Sequence, residues 1–139
     1  MTEGDGGPLA LVVAAANVHD SQLLGQTLEA IIVARPTPTP RRKQHLCLDK
    51  AYDNPTCDAT VAEHHYVPHI RRIGELKPSR RQRKYPPRRW VVERTFAWLS
   101  KCRAILVRYD TEPKHYLGLL QFACALLWYR RLVAHTASK

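Results

Sequence analysis

The sequence predicts an α/β layer in which parallel strands alternate with helices. Three short runs rich in branched or aromatic residues are typical of strands: Leu9 to Ala16, His45 to Leu48 and Tyr66 to Ile70. A capped helical stretch separates each strand from the next, and this alternation favours parallel pairing. The chain has 139 residues, 45% of them hydrophobic, which is enough for one domain with its own core.

The first helix is predicted to begin near Asp20 and Ser21, whose side-chain oxygens can cap it. Leucine and isoleucine recur at helical spacing from Leu23 to Ile32, which predicts one buried face. The prolines between Pro36 and Lys43 cannot continue a helix or a central strand, because proline lacks a backbone N–H and restricts the residue before it. That stretch is therefore predicted to be a surface loop.

A second, shorter helix is predicted between the second and third strands. Asp53 and Asn54 offer side-chain oxygens for its cap, and Pro55 suits its first turn, where a missing N–H costs nothing. We therefore interpret Asp53 as a capping residue.

Two longer helices are predicted in the C-terminal part of the chain. The first begins at Arg89. Its apolar stripe consists of Val92, Phe96, Leu99, Cys102 and Leu106, with Val91, Trp98 and Ile105 beside it. The second runs from Lys114 to about Leu132 and is apolar on nearly all sides, so we expect it to be buried. Residues 1–8 and 134–139 are expected to be flexible, which leaves 9–133 as the folded unit.

The composition indicates a polyanionic partner and a cytoplasmic protein. Twenty-two lysines and arginines stand against 12 acidic residues, a formal net charge of +10.

The acidic, glycine-rich N-terminus has no signal-peptide pattern. The most apolar stretch, Tyr116 to Tyr129, is shorter than the roughly 20 residues that a spanning helix needs, so no membrane segment is expected. The four cysteines lack the short spacing of zinc and redox sites, and we expect reduced thiols.

The segment from Arg71 to Arg89 is dense in basic residues and holds a single acid, Glu75. We expect it to contact backbone phosphates of a nucleic acid, although charge runs also occur as solvated surface. The DNA-binding candidates are Arg71, Arg72, Lys77, Arg80, Arg81, Arg83, Lys84, Arg88, Arg89 and, further along, Lys101.

Two acids, Asp49 and Glu93, are the candidates for chemistry. Asp49 follows a predicted strand, where open α/β sheets place their active sites, and Glu93 lies in the first turn of a predicted helix. Converging carboxylates can hold Mg²⁺, and a metal pair can activate a water or a 3′-hydroxyl for phosphodiester cleavage and joining. Taken singly, Asp49 could merely end a strand and Glu93 could merely favour a helix N-terminus. Asp53 is the alternative to Asp49, but its position suits capping better.

Several motifs, in order, resemble insertion-sequence DDE transposases of the four/five-type branch. Residues Asp49 to Tyr52 (Asp-Lys-Ala-Tyr) resemble the second-aspartate motif, and Arg89 to Trp98 resemble the glutamate motif. Further similarity runs through 15–24, 68–72 and 119–126, so the resemblance covers about Leu9 to Leu132. It implies an RNase H-like fold, divalent-metal dependence and DNA transposition, with Asp49 and Glu93 as catalytic and metal-binding residues.

The resemblance also indicates what the chain lacks. The family carries its first catalytic aspartate on a strand that precedes the similar region, and neither Asp5 nor Asp20 has that setting. Lys101 lies one residue beyond the position of the family's lysine. We therefore expect a partial RNase H-like fold, a mixed sheet with flanking helices that lacks the first two strands. We expect the chain alone to be inactive, with Mg²⁺ or Mn²⁺ bound only once the missing aspartate is supplied.

The expected partners are DNA, at element ends and at the target, and an upstream transposase segment or further copies of this chain. The alternative is a catalytically silent DNA-binding remnant that interferes with a complete transposase.

Overall fold

The computed structural model describes residues 1–76 and 89–137. The described elements are α1 (Leu24–Glu29), β1 (Gln44–Cys47), α2 (Pro55–Glu63), β2 (Tyr66–His69), α3 (Arg89–Leu99), α4 (Arg103–Leu106) and α5 (Pro113–Ala137). Two short 3₁₀ turns, Asp20–Leu23 and Lys50–Tyr52, precede α1 and α2. This mixture of helices with a small sheet confirms the α/β class.

The sheet described consists of β1 and β2, which pair in parallel with Gln44 opposite Tyr66 and Cys47 opposite His69. Both strands agree with the sequence prediction, as does the helix that connects them. One face of the pair packs on α1 and α2. This first core is formed by Leu24, Leu28, Leu46, Cys57, Val61 and Tyr66. The packing leaves the opposite face of the strands open at the C-terminal end of β1.

The strand predicted over Leu9 to Ala16 is wrong. Leu9 and Ala10 are buried, but their backbone N–H groups donate to the carbonyl of Met1 at 2.9 and 3.4 Å. Leu11 packs against a second core formed by Leu99, Ile105, Ala123 and Cys124. The run is apolar because it lies against helices, and hydrophobicity alone does not distinguish that setting from a strand with both faces covered.

Residues 1–10, which we call the N-terminal clasp, are held against α3 and α5 by hydrogen bonds and an ion pair. The Met1 ammonium donates to the Ala10 carbonyl at 2.8 Å. Trp128 Nε1 on α5 donates to the Pro8 carbonyl at 2.8 Å, and Arg131 pairs with Glu3 at 2.9 Å. The hydroxyl of buried Thr95 on α3 lies 2.7 Å from the Gly6 carbonyl. The two ends of the clasp, Met1 and Ala10, are thus hydrogen-bonded to each other. The clasp is also bonded to α3 and α5, which are distant in sequence.

The caps of the two short helices differ from the prediction in one residue each. His19 Nδ1, rather than an oxygen of Asp20, accepts the N–H of Ser21 at 3.3 Å ahead of the first 3₁₀ turn. Asn54, rather than Asp53, caps α2 by accepting the N–H of Cys57 at 2.9 Å. A side chain can cap only if its own backbone is extended at the right turn, and sequence spacing fixes that to within a residue or two.

The first helix is also shorter than predicted. It ends at Glu29, and Ile32, placed by the sequence in the buried face, is 76% exposed. The proline stretch that follows contains no strand or helix, as predicted.

The packing face of α3 is one residue away from the predicted stripe. Val91 and Thr95 are buried, whereas Val92 and Phe96 of the predicted stripe are exposed; Leu99 is buried as predicted. The predicted helix also ends earlier, because α3 ends at Leu99 and the exposed Leu106 lies on the separate helix α4. Both faces of the helix carry apolar side chains, and the contact between Thr95 and the clasp selects the face that is buried.

The prediction that the last helix is buried is wrong. α5 has 25 residues, and its buried positions are Ala123 and Cys124. The exposed apolar side chains on it include Leu119, Phe122, Leu126, Tyr129, Leu132 and Val133. By length and composition α5 could cross a membrane, and 11% of its most apolar window is buried. A single helix of this kind is weak evidence for a membrane span.

All four cysteines are free thiols, as expected. Cys57 and Cys124 are buried, and burial raises the pKa of the Cys124 thiol.

Candidate active site

Asp49 lies directly beyond the C-terminal end of β1. The parallel ladder continues for one more bond, from the N–H of Leu48 to the carbonyl of His69 at 3.2 Å, and the chain then leaves the sheet. Asp49 has extended backbone angles, and its Oδ1 accepts the N–H of Ala51 at 2.8 Å, which caps the 3₁₀ turn. A carboxylate has about four lone-pair sites, so one capping bond leaves an exposed Asp49 able to bind a further cation or donor.

A second acid, Asp20, approaches the turn that Asp49 caps. The two 3₁₀ turns pack against each other, which brings Asp20 toward Tyr52. Burial raises the pKa of Tyr52 to about 12, and the negative charges of Asp20 and Asp49 act in the same direction. The sequence favours Asp20 as a capping residue, and its approach to Tyr52 could not be predicted because it depends on packing between turns that are distant along the chain.

Side chains on the open face of the sheet lead toward Asp49. Residues 45, 47 and 49 alternate onto this face, and His69 is the register partner of Cys47. His45 Nδ1 and His69 Nε2 lie 2.6 Å apart. Burial, and to a lesser degree the charge of His45, lowers the pKa of His69. The alternation of His45, Cys47 and Asp49 is visible in the sequence, but the partner strand's register is needed to add His69.

Glu93 lies on α3 in an exposed position. Its neighbour Thr95 is anchored to the clasp, so the position of Glu93 depends on the contacts between α3 and the N-terminal residues. Asp49 and Glu93 are therefore held by different parts of the fold, the first core for Asp49 and the clasp and second core for Glu93.

Of the DNA-binding candidates, Arg72 has an identified structural contact. Its guanidinium pairs with Asp53 at 2.7 Å and with Asp58 at 2.9 Å. Asp53 also accepts the N–H of Ile73 at 2.6 Å, so this acid fastens the chain after β2 to the start of α2. Arg71 and Lys101 are exposed. Six of the other candidates, Lys77, Arg80, Arg81, Arg83, Lys84 and Arg88, lie outside the described residues, as does the side chain of Arg89.

Three tryptophans and two arginines form a stack that the sequence analysis missed. The guanidinium carbon of Arg94 lies 4.5 Å from the ring centre of Trp90 and 4.9 Å from that of Trp98. That of Arg131 lies 5.1 Å from the Trp98 ring and 5.6 Å from the Trp128 ring. This arginine–tryptophan stack joins α3 to α5 in the order Trp90, Arg94, Trp98, Arg131, Trp128. Trp90, Arg94 and Trp98 recur every four residues, which was the available signal.

Comparison with known proteins identifies the family. The model of the transposase DDE domain matches residues 1–128, most of the chain. This chain belongs to the family of transposase DDE domains. A protein from Burkholderia cepacia, named as a transposase for insertion sequence element IS402, is 29% identical over 143 residues. The alignment covers 95% of this chain and 62% of that relative, so this chain spans less than two thirds of the relative's length. No solved structure matches the chain.

Membership implies an RNase H-like fold and the use of a divalent metal ion. Within the described parts of the chain, no group of three or more histidine, cysteine, aspartate or glutamate side chains is arranged to hold a metal ion. Asp49 and Glu93 therefore do not form a complete metal site with other described residues, although carboxylate oxygens are the ligands that Mg²⁺ prefers.

Proposed function

We propose that this DDE domain takes part in DNA transposition and contributes Asp49 and Glu93 to the acids that cut and join DNA in a complete transposase. The observation that carries the proposal is the position of Asp49, directly beyond the C-terminal end of a parallel strand, in a chain that the DDE family model matches over residues 1–128. The resemblance of residues Arg89 to Trp98 to the family's glutamate motif supports Glu93 as the catalytic glutamate. A further acid, from outside the described residues, would complete the binding of Mg²⁺ or Mn²⁺.

The two proposed catalytic acids differ in what holds them. Asp49 is fixed by the sheet and by its bond to the Ala51 N–H, so its carboxylate direction is set locally. Glu93 is carried by α3, whose buried face rests on the clasp. We infer that the distance between the two carboxylates is governed by how α3 packs against the rest of the domain.

The acids are tested by charge removal in a complete transposase that contains this domain. Asp49→Asn and Glu93→Gln keep the side-chain shape and remove the charge, so each should abolish Mg²⁺-dependent cleavage of element-end DNA while DNA binding stays largely intact. Glu63→Gln is the matched control, because Glu63 is an exposed acid on α2 outside both motifs. Cleavage within about tenfold of wild type for either of the two variants, a loss of about 1.4 kcal/mol or less in transition-state stabilisation, would contradict the assignment.

DNA is the proposed partner, with the basic segment 71–89 as the phosphate-contacting region. Replacing Arg80, Arg81, Arg83 and Lys84 by alanine should flatten the salt dependence of DNA affinity by about 0.9 log unit for each duplex phosphate that is no longer bound. A salt titration with an unchanged slope would show that the segment is solvated surface. Arg72 is expected to contribute less, because its guanidinium already bridges Asp53 and Asp58.

A second candidate is a catalytically silent chain that binds DNA or interferes with a complete transposase. The observation that favours it is the lack of a three-ligand group among the described residues. Under this alternative, the Asp49→Asn variant would bind DNA and inhibit a complete transposase as well as the unaltered chain does, and no assembly containing this domain would cleave DNA. We place the domain in the cytoplasm under either proposal, with an upstream transposase segment or further copies of the chain as the protein partner.

A further inference from the structure

A cavity of about 400 Å³ lies at the end of the sheet where β2 begins. Tyr66, the first residue of β2, lines it and is the register partner of Gln44, the first residue of β1, whereas Asp49 follows the other end of β1. The volume falls within the range of about 300–1,000 Å³ that small-molecule sites occupy. The polar side chains of the lining include Arg35, His64, His65 and Tyr66, and the apolar ones include Leu28, Ile31, Val33 and Pro38.

Arg35 gives this cavity a positive charge that no acid in the described parts of the chain pairs with. Its guanidinium donates to Gln44 Oε1 at 2.5 Å and to the hydroxyl of Tyr66, and both acceptors are neutral. Its Nε is buried and has no hydrogen-bond acceptor among the described residues. A buried donor without an acceptor is costly, and more so on a charged group. An anion in the cavity would supply both an acceptor and the missing negative charge.

The guanidinium of Arg35 is held in place before any ligand binds. Its two bonds lead to the start of β1 and to Tyr66, a residue of the first core. A side chain that is already held loses little rotamer freedom on binding. The Tyr66 hydroxyl accepts from Arg35 and keeps its own proton to donate. Guanidinium and hydroxyl donors together suit a carboxylate or a phosphate oxygen.

Two histidines at the end of α2 add further hydrogen-bonding groups. His64 Nδ1 lies 2.9 Å from the carbonyl of Thr60, so Nδ1 carries the proton and Nε2 is left for another partner. His65 has a φ of 59°, in the left-handed region where glycine is usual at a helix end. This turn leads from α2 into β2, and a histidine at the turn contributes a ring to the cavity lining that glycine would lack.

We propose that this cavity binds a small organic anion, a carboxylate or phosphate group joined to an apolar body of a few carbon atoms. The anionic group pairs with Arg35 and accepts from Tyr66, and the body lies against Leu28, Ile31 and Val33. The site goes beyond the proposed function, since none of the residues that line it is a candidate for catalysis or for DNA contact. A backbone phosphate of DNA has no such apolar body, so the apolar lining favours a small molecule.

The test is a set of calorimetric titrations of the full 139-residue chain. The probes are hexanoate and hexyl phosphate, with 1-hexanol as the same body without a charge and acetate as a charge without the body. At least one of the two hexyl anions should bind about tenfold more tightly than 1-hexanol and than acetate. The tighter of the two identifies the anionic group that the site prefers.

Arg35→Gln removes the charge and should weaken binding of that anion by about tenfold. Arg41→Gln is the matched control, because Arg41 is an exposed arginine of the same loop and does not line the cavity. It should leave the affinity unchanged. Thermal denaturation checks that each variant is folded, and the comparison of probes on the wild-type chain needs no substitution.

Failure of both hexyl anions to bind, or binding no tighter than that of 1-hexanol, would overturn the inference. Equal weakening by Arg35→Gln and Arg41→Gln would do the same, because it would indicate general attraction to a basic chain. If the anions failed to bind and Arg35→Gln instead weakened binding of a short DNA duplex, Arg35 would be a contact to DNA and the small-molecule site would be wrong. Each of these results would leave the proposed roles of Asp49 and Glu93 in place.

Discussion

Replacement of Gly7 by alanine tests whether the N-terminal clasp is seated as the structure shows. A Cβ at this position would lie 2.4 Å from Cζ2 and 2.6 Å from Cη2 of Trp128, and 2.8 Å from Oε1 of Glu3. Van der Waals contact between carbon atoms needs about 3.5–4.0 Å, so something must move by roughly an ångström. The indole cannot yield easily, because its Nε1 is bonded to Pro8 and Arg131 lies against its ring.

The size of the effect follows from two opposing terms. Overpacking of this kind typically costs about 1–3 kcal/mol. Alanine restricts the unfolded chain and returns about 0.4–1 kcal/mol where its native conformation is compatible. The free energy of unfolding should therefore fall by about 1–2 kcal/mol, which lowers the urea midpoint by roughly half to one molar at an ordinary m-value.

Urea unfolding of the full chain, followed by tryptophan fluorescence, measures this change. The matched control is Gly118→Ala, because a Cβ at Gly118 meets nothing within 4 Å and the position lies inside α5. It should raise stability by about 0.5–1 kcal/mol. If Gly7→Ala raised the midpoint as Gly118→Ala does, the first eight residues would be flexible, as their composition suggests, and the contacts of the clasp would be wrong.

Two further predictions concern α2 and its neighbours. Asn54→Ala removes the bond to the Cys57 N–H and should cost about 1 kcal/mol in urea unfolding, whereas Asn17→Ala, in an exposed turn, should change stability by no more than about 0.5 kcal/mol. The side-chain bond from Arg72 is the largest cause of the lowered pKa of Asp53. The ion pair's contribution to stability is therefore fully present above pH 3.8, the ordinary pKa of the carboxyl, and is lost as the pH falls through the lowered pKa of Asp53 in the folded state. The difference in unfolding free energy between wild type and Arg72→Met should therefore shrink as the pH falls below 3.8. A difference that did not change with pH would contradict the ion pair.

Local signals were sufficient for the parts of the fold whose cause is local. Asp53, Asn54 and Pro55 together indicated the start of α2 to within one residue, and the apolar residues around Leu46 and Tyr66 indicated two strands. The position of Asp49 at the end of β1 followed from the first of these strands. Each of these features depends on residues within about four positions of one another.

The wrong predictions concern segments whose local sequence is compatible with two structures, so that a contact with a distant residue decides which one forms. Residues 9–16 have the composition of a strand, but a strand needs a partner, and Leu9 bonds instead with Met1. Val91 and Val92 are equally apolar, and the contact of Thr95 with Gly6, 89 positions away, selects the buried face of α3. The same applies to the candidate site, since the approach of His69 to His45 depends on strand register and that of Asp20 to Tyr52 on packing between turns.

The hydrogen bond of the Met1 ammonium has a consequence for any chain that is extended before this residue. Burial lowers the pKa of this amine, so the folded state favours its neutral form. Below 8.0 the free terminus must give up hydration of a charge in order to fold, and stability increases as the pH rises from the lowered value toward 8.0. An added residue converts the amine into an amide, which keeps an N–H for Ala10 but carries no charge. A fusion at this end that preserved the bond to Ala10 would therefore lose its pH dependence, and a tag placed there would alter the stability that it was meant to leave unchanged.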